Sequence, residues 1–147
     1  MSSINIQLLN DLAKIPTKGS EEAAGWDLYA ATSEEITIAP HETVQISTGL
    51  AMELPLYSFG AVFARSGLAT KKGLRPANCT GVIDSDYRGP IVIALHNDSD
   101  LPQTISPQER IAQLIIIPYV QIDGWNIVNK LSTTERGDQG FGSTGEQ

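Results

Sequence analysis

The segment 81–89 holds side chains whose types and spacing could do chemistry. Val82 and Ile83 are typical of the buried end of a strand. Asp84 then supplies a carboxylate and Tyr87 an aromatic ring. A carboxylate at the end of a core strand is costly unless something uses it. One use is to hold a water molecule against a substrate while the neighbouring ring selects substrates by shape.

The C-terminal stretch, residues 131–147, has two interpretations. It is rich in Gly, Ser and Thr and poor in apolar residues, which predicts a mobile tail. The alternative is an arm that closes over a ligand. The hydroxyls of Ser143 and Thr144 would then hold phosphate oxygens, and Arg136 would add a planar cation. The isolated Phe141 has no place in a core but could stack on a nucleobase.

Three shorter motifs place single polar groups among apolar residues. Ser66 predicts the cap of a short helix that ends at Gly73, or alternatively an anion site. Arg65 would support that site or pair with a carboxylate. Asp27 lies in an apolar segment, where an acid is more often a turn-former or a buried hydrogen-bond partner than a metal ligand. Gln113 marks either a strand at a sheet edge or an amide that donates to phosphate.

The elements that must position these groups are strands. Apolar and polar residues alternate with a period of two in several segments, and turn residues separate the segments about every ten residues. The run 111–117 is almost entirely apolar and precedes Pro118, which predicts a central strand. The pattern predicts an all-β domain, either a sandwich or a jelly-roll-like barrel. The alternating apolar positions are Ile4, Ile6 and Leu8; Ile36 and Ile38; Val44, Ile46 and Leu50; and Ile91, Ile93 and Leu95.

Composition narrows the class of protein. The 147 residues suit one domain, and the net charge of −7 argues against binding to DNA, RNA or an anionic membrane. The only cysteine, Cys79, excludes an intrachain disulfide. The N-terminal residues lack the features of a signal peptide, and no apolar run approaches the ~20 residues of a membrane span. We therefore expect a cytoplasmic protein.

Taken together and in order, the motifs resemble those of the trimeric dUTP pyrophosphatases (dUTPases). The resemblance covers essentially the whole chain, and the third and fifth motifs are its most specific parts. Two departures are Gln139, where glycine is commoner, and Ala64, which replaces a frequent proline. The five motifs are AGWDLYA at 24–30, ARSGLA at 64–69, GVIDSDYRG at 81–89, RIAQL at 110–114 and RGDQGFGSTG at 136–145.

The resemblance implies a fold and an activity. The fold is a distorted jelly-roll-like β-barrel with one short helix, in residues 1–130, followed by a flexible C-terminal arm, residues 131–147. The activity is hydrolysis of dUTP to dUMP and pyrophosphate with Mg²⁺ on the triphosphate. Such an enzyme keeps uracil out of DNA and supplies dUMP for thymidylate synthesis.

The resemblance also implies roles for individual residues. Asp84 corresponds to the carboxylate that activates the attacking water, and Asp27 to an acid that reaches the metal through water. Tyr87 resembles the ring under the deoxyribose, and Asn78 a side chain that contacts uracil. Arg65 resembles an arginine that buttresses the site. The remaining substrate contacts are Ser66, Gly67, Gln113, Arg136, Phe141, Gly142, Ser143 and Thr144.

In the family, three subunits of a homotrimer build each active site. The third motif comes from one chain, the first, second and fourth from another, and the arm from the third. Two other functions fit the same pattern less well. A dCTP deaminase of this fold needs a glutamate in its pocket, and a catalytically idle binding protein has no need of an intact Asp84, Tyr87 and arm.

Overall fold

The computed structural model describes residues 3–142, which form twelve strands and one short helix. The chain order is β1 (Asn5–Leu8), β2 (Thr17–Lys18), β3 (Trp26–Tyr29), β4 (Ile36–Ile38), β5 (Thr43–Ser47), β6 (Leu50–Glu53), β7 (Ser58–Phe63), α1 (Ser66–Lys72), β8 (Leu74–Pro76), β9 (Gly81–Ile83), β10 (Val92–Asn97), β11 (Gln103–Ile105) and β12 (Arg110–Pro118). The predicted strand segments all contain strands.

In the described part of the chain the strands form four antiparallel sheets. The largest has the order β2-β3-β12-β7-β9, and a second has the order β5-β10-β8. The pairs β1-β6 and β11-β4 complete the set. The jelly-roll-like all-β prediction is confirmed, but the sheets do not close into a barrel.

Strand β12 is central, as its apolar run predicts. It pairs with β3 along one side, where Gln113 lies opposite Asp27, and with β7 along the other, where Gln113 lies opposite Phe63. Its first half is buried, at Ile111, Ala112 and Leu114, while Ile115 to Ile117 are only partly buried. This strand therefore fixes Gln113 between two neighbouring strands, and the alternative of an edge position is wrong.

One apolar core lies between the sheets. Leu28, Ile38, Leu50, Leu95 and Ile105 contribute fully buried side chains from five different strands. Burying each of these side chains stabilises the fold by about 1.5–3 kcal/mol.

The buried polar residue Asn97 is fully hydrogen-bonded inside this core. Its amide nitrogen donates to the carbonyl oxygens of Ile38 (3.0 Å) and Leu101 (2.8 Å), and its oxygen accepts from the amide of Ser99 (2.9 Å). These bonds tie β10 to β4 and shape the turn after β10, so the amide costs little to bury.

Helix α1 begins at Ser66, one residue earlier than predicted, because Ser66 was expected to be the cap residue before the helix. The N-cap is Arg65, with extended backbone and no side-chain cap, and Ser66 is the first helical residue. The predicted stop is confirmed, because Gly73 adopts a left-handed conformation with φ 67°. No helix within residues 3–142 is long and apolar enough to cross a bilayer.

The described chain contains no helix or strand after Pro118. Residues 119–142 are exposed almost throughout, including Val120 (87%), Trp125 (89%) and Ile127 (95%). The irregular part of the chain therefore starts at residue 119, a dozen residues before the predicted arm of residues 131–147, and its first section carries large apolar side chains.

Candidate functional site

Two grooves collect most of the predicted site residues, one between the five-stranded and three-stranded sheets and one on the five-stranded sheet. The first groove, of about 330 Å³, lies at β9 and is lined by Asn78, Asp84 and Tyr87 above a largely apolar surface. The other lining residues are Val62, Pro76, Gly81, Val82, Ile83, Pro90, Ile91, Val92, Ile93 and Ala94. An apolar groove with a few polar groups suits a flat base and a sugar.

The ring of Tyr87 is held in one position at the mouth of this groove. Its hydroxyl donates to the carbonyl oxygen of Pro90 at 2.9 Å. A Cβ atom on Gly89 would lie 2.5 Å from that hydroxyl oxygen and 2.6 Å from the ring carbon that bears it. The absence of a side chain at Gly89 is therefore what lets the ring fold over the turn.

The carboxylate of Asp84 follows β9 directly and is exposed to the groove. Its backbone carbonyl accepts from the amide of Tyr87 at 3.1 Å, which closes the turn. The guanidinium of Arg88 caps this turn through the carbonyl oxygens of Ser85 (2.7 Å) and Tyr87 (3.1 Å). Among residues 3–142, no cationic side chain pairs with the Asp84 carboxylate.

The second groove, also about 330 Å³, lies where β3, β12 and the start of α1 meet. Its polar lining comes from Asp27, Arg65, Ser66 and Gln113, and the rest from Gly19, Ala23, Ala24, Gly25 and Ile115. This groove offers hydrogen-bond donors and a guanidinium instead of an apolar floor, which suits phosphate oxygens.

Asp27 is the charged centre of the second groove. Its side chain is only 14% exposed, and its two oxygens accept from Arg65 Nε at 2.9 Å and Arg110 Nη1 at 3.3 Å. The predicted alternative that Arg65 pairs with a carboxylate is the arrangement found. Arg65 is fixed beside the groove by two strands, because it bonds to Asp27 on β3 and to the backbone carbonyl of Arg110 on β12.

Gln113 is held as firmly. Its amide nitrogen donates to the carbonyl oxygen of Ala64 at 2.9 Å, which leaves one N–H for a ligand. A Cβ atom on Gly25 would lie 2.3 Å from the Gln113 amide oxygen, so a side chain there would displace the Gln113 amide group. Ser66 lies in the groove lining, and Gly67 lies next to it in the exposed first turn of α1.

The described arm residues, 131–142, line neither groove in this structure. Arg136 Nε donates within the arm to the carbonyl of Gln139 at 2.9 Å, and Phe141 and Gly142 are exposed. Ser143 and Thr144 lie outside the described residues. The two grooves also share no lining residue, so one chain presents the predicted site residues in two separate grooves.

Comparison with known proteins identifies the family. The family model described as dUTPase matches residues 11–145. The deoxyuridine 5'-triphosphate nucleotidohydrolase of Desulfitobacterium hafniense is 46% identical, over 99% of each chain. The chain belongs to the dUTPase family.

Solved dUTPase structures have the same fold. The Staphylococcus bacteriophage 80alpha dUTPase with dUPNHPP superposes with a TM-score of 0.89 at 28% identity, covering 99% of this chain and 100% of that one. A mutant dUTPase from phage phi11 of S. aureus, whose structure reveals the molecular details for the coordination of a structural Mg(II) ion, superposes with a TM-score of 0.79 at 24% identity over 90% of this chain and 100% of that one. The resemblance seen in the five motifs is thus confirmed at the level of family and fold.

The described residues include few side chains that could bind a metal ion together. Within residues 3–142 there is no group of three or more His, Cys, Asp or Glu side chains that could hold a metal ion. The Asp27 carboxylate lies in the second groove, but two guanidinium groups already compensate its charge. These donors fit Mg²⁺ that keeps its waters and binds mainly to phosphate, and they do not fit a protein cage.

Three residues of this dUTPase site were not predicted from the sequence. Arg110 stands in the fourth motif, yet only the pairing of β12 with β3 brings it to Asp27. Gly25 and Gly89 stand in the first and third motifs, and their contacts with Gln113 and Tyr87 depend on side-chain positions. Membership of the motifs was the only signal for them in the sequence.

Proposed function

We propose that this chain hydrolyses dUTP to dUMP and pyrophosphate. The observation that carries the proposal is the pair of separate grooves. One is largely apolar and holds a carboxylate that has no cationic partner among residues 3–142, and the other holds donors suited to phosphate. Together with membership of the dUTPase family, this division fits a nucleoside triphosphate whose base and sugar bind apart from its phosphates.

Asp84 is the catalytic residue in this proposal. Its carboxylate accepts a proton from a water molecule, whose oxygen attacks the α-phosphorus. The bond from that phosphorus to the α,β-bridging oxygen breaks, and pyrophosphate leaves in line with the attacking oxygen. A positioned general base contributes about 10²–10⁴-fold to the rate. The exposed carboxylate in the first groove has the free lone pairs that this step requires.

The second groove binds the triphosphate. Arg65 supplies charge, while Ser66, the amide of Gly67 and the free N–H of Gln113 supply hydrogen bonds. Mg²⁺ bound to the triphosphate neutralises part of its charge and fixes its geometry. Asp27 holds Arg65 in place and meets the hydrated metal only through water.

The chain is divided into a domain, residues 1–130, and a flexible C-terminal arm, residues 131–147. The arm completes the phosphate site. Arg136, Gly142, Ser143 and Thr144 add donors to the phosphates, and Phe141 stacks on the base. Its glycine-rich composition allows closure over the substrate and opening for product release.

Substrate choice rests on the first groove. Asn78 and backbone groups of its turn bind uracil, and the fixed ring of Tyr87 leaves no room for a 2′-hydroxyl. Cytosine reverses the hydrogen-bond pattern, and each unpaired buried group would cost about 1–3 kcal/mol. By removing dUTP, the enzyme would keep uracil out of DNA and supply dUMP for thymidylate synthesis in the cytoplasm.

The site is shared in a homotrimer, since a single chain separates its two halves. The large exposed apolar side chains of residues 119–131 support assembly, because such groups in water normally mark an interface. They include Val120, Ile122, Trp125, Ile127 and Leu131.

The test is pyrophosphate release from dUTP, dCTP, dTTP and UTP, each with and without Mg²⁺. We expect pyrophosphate release from dUTP and from none of the other three nucleotides. The rate should be high only when Mg²⁺ is present. Ammonia release from dCTP, or equal release from all four nucleotides, would contradict the proposal.

A further inference from the structure

The turn between β8 and β9, residues 77–80, carries Asn78 but has little packing of its own. It links β8 of the three-stranded sheet to β9 of the five-stranded sheet. All four residues, Ala77 to Thr80, are exposed. Apolar burial therefore cannot fix the position of Asn78 in the first groove, and polar contacts must do so.

Arg75 lies at the centre of β8, the strand that leads into this turn, and its side chain reaches the turn. Its Nη1 points at the carbonyl oxygens of Pro76 (3.1 Å) and Ala77 (3.3 Å) and at the sulfur of Cys79 (3.8 Å). The Pro76 carbonyl also accepts from the amide of Cys79 at 3.0 Å, which closes the turn. One guanidinium nitrogen thus contacts both ends of the turn.

The other side of the same guanidinium is anchored. Arg75 Nε and Nη2 donate to the two carboxylate oxygens of Asp98 at 2.6 Å and 3.2 Å. Asp98 is itself fixed, because its amide donates to the carbonyl of Gly73 at 2.9 Å. A two-point fork of this kind sets the orientation of the guanidinium plane as well as its position.

The backbone of the turn needs such support. Cys79 has φ 62°, a left-handed conformation that residues other than glycine rarely adopt. A residue stays in this conformation only where its surroundings determine it. The Arg75 contacts with Pro76, Ala77 and Cys79 lie on both sides of Asn78 and supply that restraint.

We propose that Arg75, oriented by Asp98, is a positioning residue that holds the 77–80 turn so that Asn78 and the turn's backbone face the uracil base. This inference rests on the proposed function. Arg75 does not line the groove and touches no substrate, so its effect is on binding and base selection and not on the chemical step.

The hydrogen bonds from Arg75 also lower the pKa of Asp98 below its ordinary value, and those to Asp98 raise the pKa of Arg75. Both groups therefore carry their charges throughout the neutral pH range, and the fork is present wherever the enzyme works.

The experiment compares steady-state pyrophosphate release from dUTP and dCTP by the wild-type protein and by Arg75→Ala, Arg75→Lys, Asp98→Asn and Asp100→Asn. We expect Arg75→Ala to raise KM for dUTP about tenfold and to leave kcat within about twofold. The preference for dUTP over dCTP falls in parallel. Lysine cannot form the fork and restores only part of the loss, and Asp98→Asn lies between wild type and Arg75→Ala.

Asp100→Asn is the matched control. It changes an exposed hydrogen-bonded contact, the 3.0 Å pair of Asp100 and His41, without touching the turn. We expect wild-type KM and wild-type base preference for this variant. If it lost base preference as Arg75→Ala does, the effect would come from the general surface charge and the inference would be wrong.

Two further results would overturn the inference. One is unchanged KM and base preference in folded Arg75→Ala and Asp98→Asn, with folding checked by thermal unfolding. The other is a loss confined to kcat. If Arg75→Ala does not fold, Asp98→Asn alone decides between these outcomes. Failure of the proposed function is separate, because it would show in the wild-type protein as absence of pyrophosphate release from dUTP.

Discussion

Two carboxylates on one five-stranded sheet have opposite surroundings. Asp84 follows β9 and faces an open groove, with no cationic partner among residues 3–142. Asp27 lies in β3, is only 14% exposed and binds the guanidinium groups of Arg65 and Arg110. The sequence gives both residues an apolar strand as their setting, so the difference comes from what the fold packs around each.

The contrast indicates a division of labour. A carboxylate whose oxygens are already bonded to two arginines acts by fixing those arginines. A carboxylate with free oxygens can hold and deprotonate water. Changes at Asp84 should therefore affect chemistry without affecting stability, and changes at Asp27 should affect both. The predictions below use that difference.

The largest expected effect is that of Asp84→Asn. The amide keeps the shape of the carboxylate but cannot accept the proton, so kcat should fall by about 10²–10⁴-fold. Binding of dUTP and the thermal unfolding temperature should be unchanged, since the carboxylate makes no ion pair in the described chain. Turnover near the wild-type rate would disprove the assignment of the base.

Deletion of residues 136–147 should have the second-largest effect. It removes donors to the triphosphate without touching either groove, and we expect turnover to fall by about 10²-fold or more. The described part of this stretch is almost entirely exposed, so thermal unfolding should stay at the wild-type temperature. A fall in melting temperature like that of a core mutation would contradict this view of the arm.

Asp27→Asn should mainly reduce stability. Two guanidinium groups lose their shared partner in a partly buried position, which we expect to cost about 1–3 kcal/mol in the free energy of unfolding. Denaturant unfolding measures this cost. Turnover should fall less than in Asp84→Asn, through weaker triphosphate binding. A stable variant with no turnover would reverse the roles given to the two acids.

Gly89→Ala should have a smaller effect, confined to sugar selection. The added methyl group must displace the Tyr87 ring, because the space is already filled by its hydroxyl. We expect the preference for dUTP over UTP to fall about tenfold, measured as the ratio of kcat/KM values. Equal sugar discrimination in wild type and Gly89→Ala would contradict the idea that this glycine sets the ring.

Part of the fold could be predicted because it depends on local pattern. The apolar run 111–117 identifies the central strand, and Gly73 identifies the end of α1. The start of α1 was misassigned because Ser66 is a common cap residue, whereas here Arg65 takes the cap position without a side-chain bond. Sheet closure was overestimated, since period-two alternation says which face of a strand is buried but not which strands pair.

The site shows the same limit. The resemblance singled out Asn78, Asp84 and Tyr87, and the structure brings them into one groove because all three lie within ten residues of one another. The partners of Asp27 could not be predicted, because Arg65 and Arg110 are 38 and 83 residues away. The pairing of Arg75 with Asp98 could not be predicted either, because the two residues are 23 positions apart.

The most direct test of the shared site mixes two variants that should each be inactive. Asp84→Asn chains keep an intact arm, and chains lacking residues 136–147 keep Asp84. After unfolding and reassembly in equal amounts, about one quarter of the sites should combine an intact Asp84 with an intact arm, since each part is intact in half of the chains. We predict that pyrophosphate release from dUTP rises to about one quarter of the wild-type rate. A mixture no faster than the sum of its two components would show that the arm and Asp84 act within one chain.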